Sequence, residues 1–280
     1  EDYEGNHNFY QLKSAANFGL ARLTVGPIQI EGFINGGINT VFQNFGSTDT
    51  LGFDGFYGAG ASISLFNKVA IQGGFHHFSG HWGDETIQDM VELNTLDLNN
   101  YNLIEYTRGN SWLGSVSVEP TQNIRFYASV ELPQASAWIR PGVHVPISTI
   151  RPGSSDANQQ DHITGQEEVD ITITYPTSYR AWRVQGGSEV RVPVSTLGSL
   201  FFATDVQFHQ DGQTEHQVDG YSEDNPWEMT FTVGGGLEFN TGLLNRKFRL
   251  EIYYHDGRFP LLNYFYTRSQ YVVLGLAISG

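Results

Sequence analysis

The fold class this sequence predicts is all-β: a transmembrane, antiparallel, up-and-down β-barrel of about twelve strands. Three observations predict it. Apolar and polar residues alternate with period two through at least six long segments, the mark of strands with one greasy and one wet face. The connections alternate between short turns and long polar stretches, as in barrels that cross a membrane. The polar parity mixes charge with glycine, including Gly37, Gly187, Gly234 and Gly236, as a narrow interior crowded with side chains requires.

The elements follow in order. In "IQIEGFINGGINTVF", Ile28, Ile30, Ile34, Ile38 and Phe42 share one parity, and Gln29, Glu31, Asn35, Gly37 and Asn39 share the other. "NIRFYASVEL" sets Ile124, Phe126, Ala128, Val130 and Leu132 against Arg125, Tyr127, Ser129 and Glu131. Trp182, Val184, Val190 and Val192 oppose Arg183, Gln185, Glu189 and Arg191. Leu200, Phe202, Val206 and Phe208 oppose Asp205, Gln207 and His209. Trp227, Met229, Phe231, Val233, Leu237 and Phe239 oppose Glu228, Thr230, Thr232 and Glu238; Phe248, Leu250, Ile252 and Tyr254 oppose Arg249, Glu251, Tyr253 and His255. Such strands exceed the usual globular length of roughly 5 to 6 residues and suit a tilted membrane crossing. The sheet must then close, because hydrocarbon leaves an unpaired strand edge without partners.

Short turns are expected at "TVGPI", "FNK", "EPTQ", "VSTL" and "TGLL", and long polar stretches near 43–51, 81–100, 133–178, 210–226 and 256–266. About eleven strands are readable, and bacterial barrels favour an even number, so the expectation is twelve. The twelfth would come from the first fourteen residues or from "ITITY" within 133–178. Tyr106, Trp112, Trp182, Trp227, Phe239 and Tyr254 sit on the greasy parity near strand ends, where bilayer girdles form. No repeat or linker divides residues 1–280, so a single barrel domain with a long insertion at about 133–178 is expected.

Composition excludes several classes. The chain carries 15 Lys and Arg against 30 Asp and Glu, a formal charge of -15, which makes nucleic acid an unsuitable partner. There is no cysteine, hence no disulfide and no thiolate metal site. No apolar run approaches the roughly 18 residues of a membrane-spanning helix. The chain opens at Glu1 without methionine, as a processed form would, so the lack of a signal peptide says nothing about export.

One stretch stands apart: "FHHFSGHWGDETIQDM", residues 75 to 90. Val69, Ile71 and Phe75 share the outward parity, which puts Gln72 and His76 inside. A bulge near Gly73, Gly74 and Gly80 would then turn His77, Ser79 and His81 inward and Phe78 and Trp82 outward. His77-x-Ser79-x-His81-x-Gly83-Asp84-Glu85 resembles the H-x-S-S-H-L-G-D-E signature of a family of uncharacterised bacterial proteins, domain of unknown function 1207. Gly80 and Trp82 depart from that pattern. "GLARLTVGPIQIEGFINGGINTVF" and "LEIYYHDGRFPLLNYFYTRSQYVVLGLAI" resemble the flanking stretches of the same family, so the likeness covers most of the chain outside 133–178. The resemblance implies an outer-membrane barrel and carries no activity with it. The closing "LAISG" lacks the terminal aromatic common in bacterial barrels.

Three roles fit the motif. A hydrolase would use Ser79 as nucleophile, His77 or His81 as base and Asp84 or Glu85 to orient it, because a serine hydroxyl needs an imidazole to take its proton. A divalent metal would use the histidines with Asp84 or Glu85, although the spacing is no known ligand signature and no metal site is assigned. A rim network would simply let these groups satisfy one another. The inward parity also collects a charge network: Glu31, Arg125, Glu131, Arg183, Glu189, Arg191, Asp205, Glu228, Glu238, Arg249 and Glu251, with Asp54 and Glu105. In a barrel this narrow such charges are expected to pair and plug the interior; a cation-preferring pore is the other outcome.

The expected function is therefore that of a bacterial outer-membrane barrel with an occluded lumen, an anchoring or partner-binding protein rather than an enzyme. Its expected partners are outer-membrane lipid and, through acidic loops, another envelope protein or a surface glycan. No cofactor is expected beyond calcium bridging the loop carboxylates. A lipid or ester hydrolase centred on Ser79 and a narrow channel are the alternatives.

Overall fold

The structure is a computed structural model, and it describes residues 8–45, 47–85, 110–134, 182–196, 198–210, 227–240, 246–262 and 268–279. Eleven strands account for nearly all of these. They are β1 (Phe9–Val25), β2 (Ile28–Phe45), β3 (Ser47–Leu65), β4 (Val69–Trp82), β5 (Asn110–Thr121), β6 (Ile124–Pro133), β7 (Arg183–Ser195), β8 (Gly198–His209), β9 (Glu228–Asn240), β10 (Lys247–Arg258) and β11 (Arg268–Ser279). Each pairs antiparallel with the next in the chain, giving one sheet in the order β1 to β11. The fold is thus an up-and-down, all-antiparallel barrel-type sheet, in keeping with a barrel of about twelve strands.

At one end the connections are tight. Gly26, at φ +57°, and Pro27 join β1 to β2, and Phe66 and Asn67, both left-handed at φ 55° and 53°, begin the turn from β3 to β4. Two such residues in succession match the right-handed twist of a hairpin. The turns are stitched together where Phe66 N donates to Pro27 O at 2.9 Å. The other end holds the connections 83–109, 134–182 and 210–227. The stretch 43–51, expected to be a loop, instead extends β2 and β3, which stay paired out to Phe45 and Ser47. Alternation continues to Gln43, and the polar residues beyond it pair across a connection of a single residue.

The twelfth strand does not come from the first fourteen residues, since Phe9–Ser14 forms the start of β1. The 133–178 alternative lies outside the described residues from 135 onward. β1 and β11 terminate the sheet, and as first and last of eleven up-and-down strands they run in the same direction.

Side chains sort by parity. Large apolar residues face outward and stay exposed on every strand from Leu12 and Phe18 on β1 to Leu274, 81 % exposed, on β11. Trp112, Trp182, Trp227, Phe239 and Tyr254 lie on this face as expected, while Tyr106 is outside the described residues. The buried apolar residues Phe33, Val41, Leu51, Trp82 and Phe201 line the inside. Interior glycines make room for rings: a Cβ on Gly37 would lie 2.6 Å from the Phe56 ring, and one on Gly187 would collide with Tyr127 and the Thr204 carbonyl.

Between β1 and β11 the sheet is bridged at the long-connection end by the segment after β10. Phe259 packs edge-on against Phe9 of β1 at 5.4 Å between ring centroids. The Pro260 carbonyl accepts from Asn39 Nδ2 of β2 at 2.5 Å. Leu262 N donates to both carboxylate oxygens of Asp54 on β3, at 3.0 and 3.1 Å. Phe259 and Leu261 are buried beneath it. At its root, Arg258 Nε donates to Glu228 at 2.7 Å and His255 Nε2 donates to the Arg258 carbonyl at 3.0 Å.

Candidate functional site

The inner face carries its charges in layers set by strand register. In the layer near the long connections, β4, β5, β6 and β7 place His76 opposite Ser111, and Glu131 opposite Arg183. Glu131 is 1 % exposed. It accepts from the Ser111 hydroxyl and pairs with the Arg183 guanidinium, while His76 Nδ1 stands 3.6 Å from its Oε1. The Arg183 guanidinium also lies 5.0 Å from the Phe78 ring centroid, so its face is covered as well. A buried carboxylate needs this many donors to stay ionised.

A middle layer centres on Asp205, which accepts from Tyr127 Oη at 2.5 Å, Gln185 Nε2 at 2.7 Å and Gln207 Nε2 at 2.9 Å. Next to Asp205 in the register, Thr232 Oγ1 donates to His255 Nδ1 on β10 at 2.8 Å. The opposite nitrogen, Nε2, already gives its hydrogen to a carbonyl, which fixes that tautomer, and Tyr271 stacks on the ring.

The third layer lies near the tight turns. Glu238 accepts from Lys247 Nζ at 2.6 Å and from Arg249 at 2.7 and 2.9 Å; Arg249 reaches Glu189 at 3.3 Å; Arg191 pairs with Glu189 and stands 3.6 Å from Glu238. Phe201, fully buried, floors this cluster, with the Arg249 guanidinium 4.6 Å from its ring centroid. Glu31 pairs with Arg22 at 2.5 Å, and Tyr253 Oη donates to Glu251 at 2.6 Å.

Every described member of the expected charge network lies on the inner parity, with Arg125 at its margin, half-exposed and 4.0 Å from Glu119. Glu105 is outside the described residues. Arg22, Lys247 and Arg258 complete the ion pairs and were not read from the sequence: Arg22 follows the register shift at Leu20, and the other two sit at strand ends where alternation fades. The bridge over Asp54 was also missed, because Phe259 to Leu262 has no period to read.

The motif strand differs from expectation. β4 keeps an unbroken register with β3 from Val69 to Trp82, so no bulge intervenes. His76, Phe78 and Trp82 point inward, and His77, Ser79 and His81 share the outward parity of Phe75. On that face His77 stacks on Tyr57 and His81 on Phe53, each at 4.6 Å between ring centroids. His77 Nδ1 meets Asn110 Oδ1 at 2.8 Å. Ser79 lies between the two stacks, opposite Gly55. Asp84 and Glu85 follow the end of β4 as exposed residues. Residues two apart on one face of a strand are about 6 to 7 Å apart at the backbone, so the motif presents a row of polar groups. Among the described residues no group of three His, Asp or Glu side chains is placed to hold a metal ion. The loop carboxylates invoked for calcium lie almost entirely outside the described residues.

Charge is partitioned along the chain. Segments 1–8, 83–109, 134–181 and 210–227 contain nineteen acidic and four basic residues, the whole of the -15; strands and tight turns carry eleven of each sign. Compared with protein-family models and with curated proteins, the chain matches none.

Proposed function

We propose that this chain is an integral outer-membrane barrel of bacteria whose interior is closed by ion pairs and whose role is anchoring or partner binding through its long connections. The observation that carries the reading is the inversion of the usual globular pattern. Charged side chains are buried and paired on the inner face, whereas large aliphatic and aromatic side chains stand exposed on the outer face of every strand. Water disfavours that outer face and acyl chains accept it. The likeness of "HFSGHWGDE" and its flanks to domain of unknown function 1207 supports the same location.

An interior crossed by these layers supports a plug rather than a conduit, and the net-negative connections support contact with a basic surface of an envelope protein or with a glycan bridged by cations. The experiment is extraction of the native membrane in mild detergent, identification of what stays bound, and a planar-bilayer recording of the purified chain. The expected result is a fixed partner and no steady conductance. Steady conductance would replace this reading with a channel, ester hydrolysis lost in Ser79→Ala would replace it with a hydrolase, and free solubility without surfactant would remove the membrane altogether.

A further inference from the structure

We infer that His77, Ser79 and His81 form an outward-facing binding site for the phosphate of a membrane lipid headgroup. The inference rests on the membrane reading above. On β4 the outward residues run Val69, Ile71, Gly73 and Phe75 and then turn polar for three successive positions. On neighbouring β3 the same face carries Phe53 and Tyr57, and on β5 Trp112 and then Asn110. The polar row is carried by β4, with Asn110 beside His77, and is framed by rings: Phe75 packs on Trp112 and Tyr57, and the two imidazoles lie on Tyr57 and Phe53.

Its height suits a headgroup. Ten residues separate Val69, beside the tight turn, from Ser79, which is about 33 Å along the strand. At a tilt of about 40° that is roughly 25 Å across the bilayer, the height of the apolar band of such barrels. The row thus begins where the acyl region ends. Its chemistry suits a phosphate too. Stacking fixes both rings edge-out, and with Asn110 Oδ1 accepting from Nδ1, His77 keeps Nε2 facing away from the strand pair. The Ser79 hydroxyl and a ring N–H of His81 donate to the headgroup phosphate, and His77 Nε2 accepts from a headgroup hydroxyl; Gly55 across from Ser79 leaves the space a headgroup oxygen needs. Asp84 and Glu85 follow at the rim, and their charge limits the site to a lipid held from the membrane side.

The test is native mass spectrometry of the full chain released from micelles loaded with equal phosphatidylglycerol and diacylglycerol, which lacks the phosphate headgroup. The wild-type chain is expected to retain phosphatidylglycerol preferentially, and His77→Gln with Ser79→Ala and His81→Gln is expected to lower that retention about tenfold. Phe126→Leu, on the same outward face away from the row, is expected to keep it. No preference in the wild type, or unchanged retention in the triple variant, overturns the site; so does full displacement by millimolar inorganic phosphate, which marks a free-anion site. These outcomes are distinct from failure of the membrane reading, in which the chain needs no micelle. A β-type circular dichroism spectrum and an unchanged melting point for the triple variant show that the loss is not unfolding.

Discussion

Glu131 and Arg183 show what a buried pair demands of its residues. Removing one partner strands the other charge in a site already closed to water, so Glu131→Ala is expected to cost about 3 to 5 kcal/mol. Replacing Arg183 by Met in the same chain is expected to recover most of that loss, and urea unfolding of all four combinations measures the coupling. The glycines make an equally local test. Gly187→Ala drives a methyl into Tyr127 and the Thr204 carbonyl, for an expected cost of about 1 to 3 kcal/mol. Gly32→Ala, where nothing lies within 4 Å, is expected to change stability by less than about 0.5 kcal/mol. Interior residue identity was legible in the sequence wherever alternation ran unbroken, as from Glu31 to Asn39. The partners were not, since register decides that Glu238 meets Arg249 and Lys247.

Among elements, the bridge over Asp54 and the two edge strands matter most. Asp54→Ala removes the acceptor of the Leu262 N–H, and hydrogen exchange at that amide is expected to quicken about tenfold; Asp54→Asn keeps an acceptor and most of the protection. Along β1 and β11, amides on the edges turned away from β2 and β10 are expected to exchange faster than any in β4 to β9. Uniform protection across all eleven strands would mean that β1 and β11 pair with each other in solution. Strand existence was legible because period two is a property of each segment alone. The β4 bulge was predicted wrongly because three polar residues after Phe75 look like inward residues only if an outward face must be apolar throughout. Next to rings and near a boundary it need not be.

For the whole molecule, the sorting of apolar residues to the outside predicts that the purified chain precipitates when surfactant is removed and stays monodisperse when it is present, as light scattering would record. Up-and-down topology and a count near twelve were readable because most short and long connections alternate along the chain; the join of β2 to β3, expected to be long, is a single residue. What closes the sheet was not, since closure joins the first and last strands, which no local pattern relates.

The division of charge also dictates a direction of travel. A wall whose strands and tight turns balance to zero slides into a bilayer, but its other pole drags nineteen carboxylates and stays behind. Entry into preformed vesicles is thus a one-way event, hairpin tips leading, with the carboxylate-rich pole left on the face of arrival. Trypsin added afterwards from outside should find Arg108 and Arg180 in nearly every molecule and Lys68 in almost none.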